Sequence, residues 1–175
     1  EAAVEATEIP VIVKLSYEAA NSPTYIEALE QAGAYGITAS NSLKGLKGID
    51  LENHRAYMST YGGYSGEPIR PIALATVATL KQLTQLPVFG CGGIQTAEDA
   101  LEFMMLGADS VQLASVILRE GYGVITRIVE QLGQWMEAHE YRATGELIGK
   151  ALDSLWQFEE VLPQPLVVRL TEGCD

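Results

Sequence analysis

The chain has 175 residues, 47% of them hydrophobic, which is enough to bury one sizeable core and argues against intrinsic disorder. Its 11 basic and 23 acidic residues give a net charge of -12, which opposes non-specific attraction to nucleic acid or to an anionic membrane surface. No apolar run approaches the roughly 20 residues that span a bilayer, and the acidic start lacks the basic region of a signal peptide, so we expect a cytoplasmic protein.

The predicted elements of the first half begin with a strand and a helix. Residues 9–16 (IPVIVKLS) form a nearly continuous apolar run, typical of a parallel strand buried on both faces, and only Lys14 interrupts it. Helical spacing over residues 23–32 predicts a helix, and residues 36–40 (GITAS) predict the next strand. Residues 41–66 are glycine-rich without a long periodic segment, so we predict a long loop of the kind that is usually functional.

The second half alternates helix and strand more regularly. Its predicted elements are helix 71–86, strand 88–90, helix 97–106, strand 110–113 and helix 124–138. Thr96 with Asp99 three residues later is a capping pair, which marks the start of the middle helix. The expected inner face of the last helix consists of Ile125, Ile128, Val129, Leu132 and Trp135.

The order of these elements specifies the fold class. Strands that alternate with helices form a parallel sheet with crossover connections, so the class is α/β. Four such units make half of a (β/α)8 barrel, which typically has about 250 residues. We assign residues 1–142 to this half-barrel. The pattern changes after that, and residues 143–175 are expected to form a short extension and linker outside the barrel, with a helix at 144–155 and a strand at 166–170.

A glycine pair, Gly92-Gly93, lies between a predicted buried strand and a helix. Bare backbone N–H groups and a helix N-terminus can face an anion there, because glycine permits a close approach. An ordinary strand-to-helix turn has the same sequence pattern. Together with the small strand end Ala114-Ser115, however, the pair resembles the phosphate site that barrels form after strands seven and eight. Cys91 lies inside this turn, where a small buried thiol is expected to pack rather than react.

Polar residues interrupt or follow the first two predicted strands. Lys14 is costly in a buried strand unless it meets a negative partner or, alternatively, extends its ammonium from the strand mouth into solvent. Asn41 and Ser42 follow the second strand, where a catalytic barrel places substrate-binding side chains. A simple turn is the alternative role for an Asn-Ser pair.

Other charged residues are expected to be solvated. Arg70 is either an anion ligand or, as we prefer, a loop cation. The acidic stretch 98–102 is expected to be a solvated face favoured by the helix dipole. His54 and His139 show no ligand spacing with each other or with a cysteine, so no zinc site is predicted.

Five segments in order carry a family resemblance: VKLS, ITASNS, YGGYSGEPIRPIAL, GCGGIQTAEDALEF and GADSVQLAS. With them the sequence resembles the dihydroorotate dehydrogenase family, and more closely its dihydropyrimidine dehydrogenase branch, over roughly residues 9–138. The resemblance implies the last four βα units, the C-terminal half, of an FMN-binding TIM barrel. Residues 166–175 (LVVRLTEGCD) resemble the entry into a ferredoxin-type module, which makes Cys174 a candidate iron–sulfur ligand in the parent protein.

The resemblance also implies residue roles. The implied FMN-binding residues are Lys14, Gly66, Cys91, Gly92, Gly93, Ala114 and Ser115. Lys14 would face the N1/O2 edge of the flavin ring and stabilise its reduced, anionic form. Asn41 and Ser42 would hold the substrate; the family often has threonine at the second position, and serine keeps the hydroxyl. The catalytic acid or base is implied to lie in the N-terminal half-barrel, so no catalytic residue is assigned here.

The implied activity is that of an FMN-dependent oxidoreductase acting on the CH–CH bond of a dihydropyrimidine, inactive as this segment alone. Three alternatives stay open: dihydroorotate dehydrogenation in pyrimidine biosynthesis, a non-catalytic half-barrel that needs a partner, and a phosphate-binding barrel without flavin. The implied partners are the N-terminal half-barrel or a partner chain that covers the open sheet edges, and an NAD(P)H/FAD electron-transfer subunit. An oligomer is expected.

Overall fold

The computed structural model describes residues 1–155. The predicted strand at 166–170 and the candidate iron–sulfur ligand Cys174 lie outside the described residues.

A parallel sheet organises the described part of the chain. Its four strands, in spatial order, are β1 (Ile12–Leu15), β2 (Gly36–Ala39), β7 (Val88–Cys91) and β8 (Ser110–Gln112). The three pairings, β1 with β2, β2 with β7 and β7 with β8, are all parallel. The predicted α/β class is confirmed, and the arrangement is that of part of a TIM barrel.

Helices connect the strands and cover one face of the sheet. They are α1 (Ala2–Glu5), α2 (Tyr17–Ala20), α3 (Pro23–Gln31), α4 (Arg70–Leu83), α5 (Ala97–Met105), α6 (Ser115–Glu120) and α7 (Gly123–Ala138). The four longer helices match their predictions within about two to three residues. The short helices α2 and α6 follow β1 and β8 directly and were not predicted, because one or two turns carry too little periodicity.

The two faces of the sheet differ in character. Side chains on the helix-covered face, such as Leu15, Ile37 and Val88, are buried in the main core. On the opposite face, Lys14 is paired in register with Thr38, and Lys14 is exposed. The expectation that β1 is buried on both faces is therefore wrong for residues 1–155, and Lys14 reaches an open face instead of a dry interior.

The stretch between β2 and α4 is more ordered than expected. Strand β3 (Leu43–Gly45) pairs antiparallel with β6 (Gly62–Tyr64), and β4 (Ile49–Asp50) pairs with β5 (Arg55–Ala56). A 3-10 turn at Glu67–Ile69 then leads into α4. The predicted plain loop is thus wrong, because strands of two or three residues leave no alternation for sequence reasoning to detect.

Helix α7 is less deeply buried than its apolar pattern indicates. Val124 and Ile128 are buried, whereas Ile125 is 40% exposed and Val129 is 61% exposed. The expected inner face is therefore wrong at these last two positions. Both are therefore only partly covered by the elements within residues 1–155.

The start of the extension packs on the outside of α5. Leu147 is completely buried against Leu101 and Met104. The backbone N–H of Gly149 donates to the carbonyl of Met104 at 3.0 Å. The predicted helix at 144–155 is wrong: the structure has two 3-10 turns, Thr144–Glu146 and Leu152–Ser154.

Within residues 1–155, no helix combines the length and apolarity required to cross a membrane.

Candidate functional site

A cavity of about 260 Å³ opens at the carboxyl edge of the parallel sheet. All nine residues singled out from the sequence line it: Lys14, Asn41, Ser42, Gly66, Cys91, Gly92, Gly93, Ala114 and Ser115. They come from the ends of all four parallel strands and the segment before α4, because the carboxyl ends of parallel strands meet at one edge. The structure thus brings the predicted residues together, while their individual roles stay predictions.

The glycine pair is fixed by close packing. Gly92 and Gly93 have φ of 138° and 80°, values that side chains rarely adopt. A Cβ on Gly92 would lie 2.8 Å from the Cβ of Ala73, and one on Gly93 would lie 3.0 Å from the backbone nitrogen of Arg70. Since both contacts are with the first turns of α4, glycine is required at both positions whether or not a ligand is present.

The start of α5 uses most of its own donors. Thr96 and Asp99 form the predicted capping box, which confirms that helix start. The Asp99 carboxylate accepts from the backbone N–H groups of Gln95 at 2.8 Å and Thr96 at 3.0 Å. These two amides are therefore not the anion donors, and the bare backbone that an anion can approach is the preceding turn at residues 92–94.

Arg70 is the first residue of α4 and is ion-paired, so the preferred expectation of a solvated loop cation is wrong. Its guanidinium forms an ion pair with the carboxylate of Asp99, and its Nε lies 3.8 Å from Glu102. Asp99 is buried, so the expectation of a solvated acidic face is wrong for that residue. The pair joins the N-termini of α4 and α5 behind the glycine turn, and it stabilises the wall of the cavity.

Lys14 and Cys91 meet at the floor of the cavity. The Nζ of Lys14 lies 3.9 Å from the Sγ of Cys91, which is a buried free thiol as its packing role requires. Among residues 1–155 no carboxylate pairs with Lys14. Next to it, the side-chain amide of Gln112 donates to the Thr38 hydroxyl at 3.2 Å. The floor is therefore polar and carries one unneutralised positive charge.

Asn41 and Ser42 form the side of the cavity next to β2. The side-chain oxygen of Asn41 accepts from the backbone N–H of Ser42 at 2.9 Å, so the turn role weighed for this pair is real. Both residues nevertheless line the cavity. A Cβ on Gly63 would overlap the Ser42 side chain, so the β3–β6 ribbon packs directly on this wall.

Three hydrogen-bonded polar residues, Glu67, Gln95 and Arg119, are among the lining residues that the sequence reasoning missed. The Nη1 of Arg119 donates to the Oε1 of Gln95 at 3.2 Å, and the Nε2 of Gln95 donates to the Oε2 of Glu67 at 3.0 Å. Gln95 lies two residues beyond the glycine pair, and Arg119 lies one helical turn beyond Ser115. A search for polar residues within one turn of each predicted strand end would have found Gln95 and Arg119, and Glu67 directly follows the predicted Gly66.

Two carboxyl groups outside the cavity have clearly shifted pKa values. A hydrogen bond from the Asn53 side chain lowers the pKa of Asp50, and a backbone hydrogen bond lowers the pKa of Glu18. In the described part of the chain, no cluster of three or more His, Cys, Asp or Glu side chains is placed to hold a metal ion.

Comparison with known proteins identifies related sequences. A family model described as dihydroorotate dehydrogenase matches residues 1–136. The chain is 36% identical over 153 residues to the catalytic subunit of dihydroorotate dehydrogenase B (NAD(+)) from Pyrococcus abyssi, covering 87% of this chain and 51% of the relative. It is 45% identical over 108 residues to dihydroorotate dehydrogenase A (fumarate) from Limosilactobacillus reuteri, covering 61% and 35%. The chain thus spans about half the length of the first of these relatives.

Proposed function

The chain belongs to the dihydroorotate dehydrogenase family, and from this premise we propose that it forms the cofactor-binding half of an FMN-dependent dihydroorotate dehydrogenase. The proposed substrate, dihydroorotate, differs from the dihydropyrimidine that was expected first from the sequence. The relatives are named dihydroorotate dehydrogenases and support that alternative, whereas the closer likeness to the dihydropyrimidine dehydrogenase branch has no support from them.

The observation that carries this proposal is the convergence of all nine predicted residues on one cavity. Hydroxyl, amide and ammonium groups lie on the side next to β1 and β2, and a bare glycine turn lies on the side next to α5. This donor set fits a ligand with a polar ring edge at one end and an anion at the other. A volume of 260 Å³ is slightly below the roughly 300 Å³ at which ligand pockets begin, so we propose that further chain completes the walls.

When bound, FMN supplies the redox centre that takes up hydride from the CH–CH bond of the substrate. Gly66, Gly92 and Gly93, with Ala114 and Ser115, hold the phosphate end, because residues without bulky side chains let backbone N–H groups approach it. Cys91 packs beneath the cofactor as a small buried side chain.

The remaining proposed roles concern the ring and the substrate. Lys14 keeps a positive charge beside the ring edge and so favours the reduced, anionic cofactor. The Asn41 amide and the Ser42 hydroxyl hydrogen-bond to the N–H and C=O groups of a pyrimidine ring. Neither supplies a charge for a substrate carboxylate, so the choice between dihydroorotate and an uncharged dihydropyrimidine is supported by the relatives rather than by these two residues.

We extend the proposal to partners and location. Relatives named as the catalytic subunit of an NAD(+) enzyme support an electron-transfer subunit with NAD(+) as the final acceptor. The cytoplasmic location, the oligomeric state and the division of the chain at residue 142 stay predictions. An iron–sulfur cluster has no support from the described residues or the relatives.

Anaerobic reduction of the cofactor tests the proposed reaction. The full-length protein, loaded with FMN, is mixed with dihydroorotate, dihydrouracil or dihydrothymine, and the visible flavin absorbance is followed. We expect dihydroorotate to bleach the flavin. Bleaching only by dihydrouracil or dihydrothymine would contradict dihydroorotate as the substrate and favour an uncharged dihydropyrimidine. A protein that holds no flavin would contradict the proposed cofactor as well.

A further inference from the structure

Two cations line the cavity, and they enter it from opposite edges of the sheet. Lys14 is on β1, and Arg119 is on α6, directly after β8. In the order β1-β2-β7-β8 these strands are three spacings apart, which is roughly 14 Å. The two charges are therefore placed to meet different parts of a ligand, and Arg119 belongs to the end that contains the glycine turn.

Arg119 is held over this end by neighbouring side chains. Its guanidinium donates to Gln95, whose amide donates in turn to Glu67, so two hydrogen bonds link the segments before α4, before α5 and on α6. Among residues 1–155, Glu67 is the one carboxylate that lines the cavity, and its Oε2 accepts from Gln95. The network orients the guanidinium and engages Glu67, the acid that lines the same end of the cavity.

The guanidinium retains unused donors. Arg55, Arg70 and Arg127 each form an ion pair with a carboxylate, whereas Arg119 forms none within residues 1–155. An arginine has five N–H donors in a planar fork that matches phosphate oxygens, and one of them donates to Gln95. In a chain with a net charge of -12, an unpaired arginine beside a bare glycine turn is a suitable place for an anion.

We propose that Arg119 binds the phosphate monoester of the ligand seated on the Gly92-Gly93 turn and thereby selects FMN over riboflavin, which lacks the phosphate. The identity of the ligand rests on the proposed function. The selectivity arises because a charge-assisted hydrogen bond forms only with the phosphorylated ligand.

Flavin binding by matched variants tests this role. We would measure the Kd of FMN and of riboflavin for the full-length apoprotein by quenching of flavin fluorescence, at low and high salt. Arg119→Gln removes the charge, and Arg119→Lys keeps it. Arg127→Gln is the control, because it removes the same charge from α7 at a residue paired with Glu120 that does not line the cavity.

Arg119→Gln is expected to raise the Kd of FMN by about tenfold and to leave that of riboflavin within about twofold. It should also flatten the salt dependence of FMN binding, since one charge pair is removed. Arg119→Lys should recover part of the loss, and Arg127→Gln should behave as wild type. Equal weakening of both flavins, no change in either, or the same loss in Arg127→Gln would overturn the proposal.

Inorganic phosphate separates this role from the proposed function. If the wild-type protein binds neither flavin, the proposed function fails, and thermal unfolding with and without phosphate then judges Arg119 alone. A rise in Tm that Arg119→Gln abolishes would support the anion role. The absence of a rise, or an equal rise in both proteins, would overturn it.

Discussion

At the residue scale, Gly93 must be glycine for two reasons, its backbone conformation and its close packing against α4. Its φ of 80° disfavours any side chain, and a Cβ there would meet the backbone of Arg70 at 3.0 Å. The same lack of a side chain leaves the turn bare on the cavity side. A substitution therefore disturbs the packing of α4 and the cavity wall together.

Gly93→Ala should lower the free energy of unfolding by about 1–3 kcal/mol, because it adds both backbone strain and an overlap with α4. Gly133→Ala is the matched control: apart from its neighbours in α7, no atom of residues 1–155 lies within 4 Å of its added Cβ, and alanine in the middle of α7 should stabilise by up to about 1 kcal/mol. Urea unfolding measures both. A Gly93→Ala protein as stable as wild type would show that the turn can relax.

Lys14 offers an electronic test. Lys14→Met should make the midpoint potential of bound flavin more negative by about 30 mV or more, which corresponds to about 1.4 kcal/mol for a two-electron couple. The reason is that a positive charge beside the ring stabilises the reduced anion. Spectroelectrochemical titration measures the shift, and Lys14→Arg should retain most of the wild-type potential. An unchanged midpoint potential in Lys14→Met would show that Lys14 does not lie beside the flavin ring.

At this scale, sequence reasoning found residues that share one cavity, while their functional roles stay predictions. The nine lining residues were predicted from their positions after strands and from the family resemblance, and parallel strands bring such positions together. It failed for Arg70 and Asp99, whose ion pair joins two helices 29 positions apart and leaves no local pattern. It missed Arg119 because the short helix α6 itself was not predicted.

At the element scale, α7 shows how far periodicity reaches. Its apolar stripe predicts the helix correctly, but it does not predict that Val129 is 61% exposed. Periodicity identifies an apolar side of a helix and not the element that covers it. The β3–β6 and β4–β5 ribbons could not be predicted from the sequence, because their short strands carry no periodic pattern. Their pairing depends on close packing, such as Gly63 on Ser42, and not on alternation.

The extension supplies an element-scale prediction. Leu147→Ala should destabilise the fold by about 2–5 kcal/mol, because it leaves a cavity between the extension and α5. Leu155→Ala is the control: Leu155 is 44% exposed, so its truncation should cost less than about 1 kcal/mol. Thermal or urea unfolding measures both. Equal effects would mean that the extension does not contribute to the stability of the α5–α7 region.

At the scale of the whole molecule, residues 1–155 form a four-stranded parallel sheet whose main apolar core lies on the helix-covered face. Its other face carries the polar residues Lys14, Thr38 and Gln112; Lys14 and Gln112 line the cavity, and Gln112 donates to Thr38. The match to about half of the length of related enzymes fits this one-sided arrangement. The element order predicted this architecture, since alternation of strand and helix leaves few parallel topologies.

The central claim is that the carboxyl edge of this sheet seats FMN in one orientation, and a crystal structure of the full-length, flavin-loaded protein tests it most directly. We predict the phosphate at Gly92-Gly93 and Ala114-Ser115, within reach of Arg119, and the ring beside Lys14. A flavin bound in the reverse orientation, bound elsewhere, or absent after loading would contradict this account.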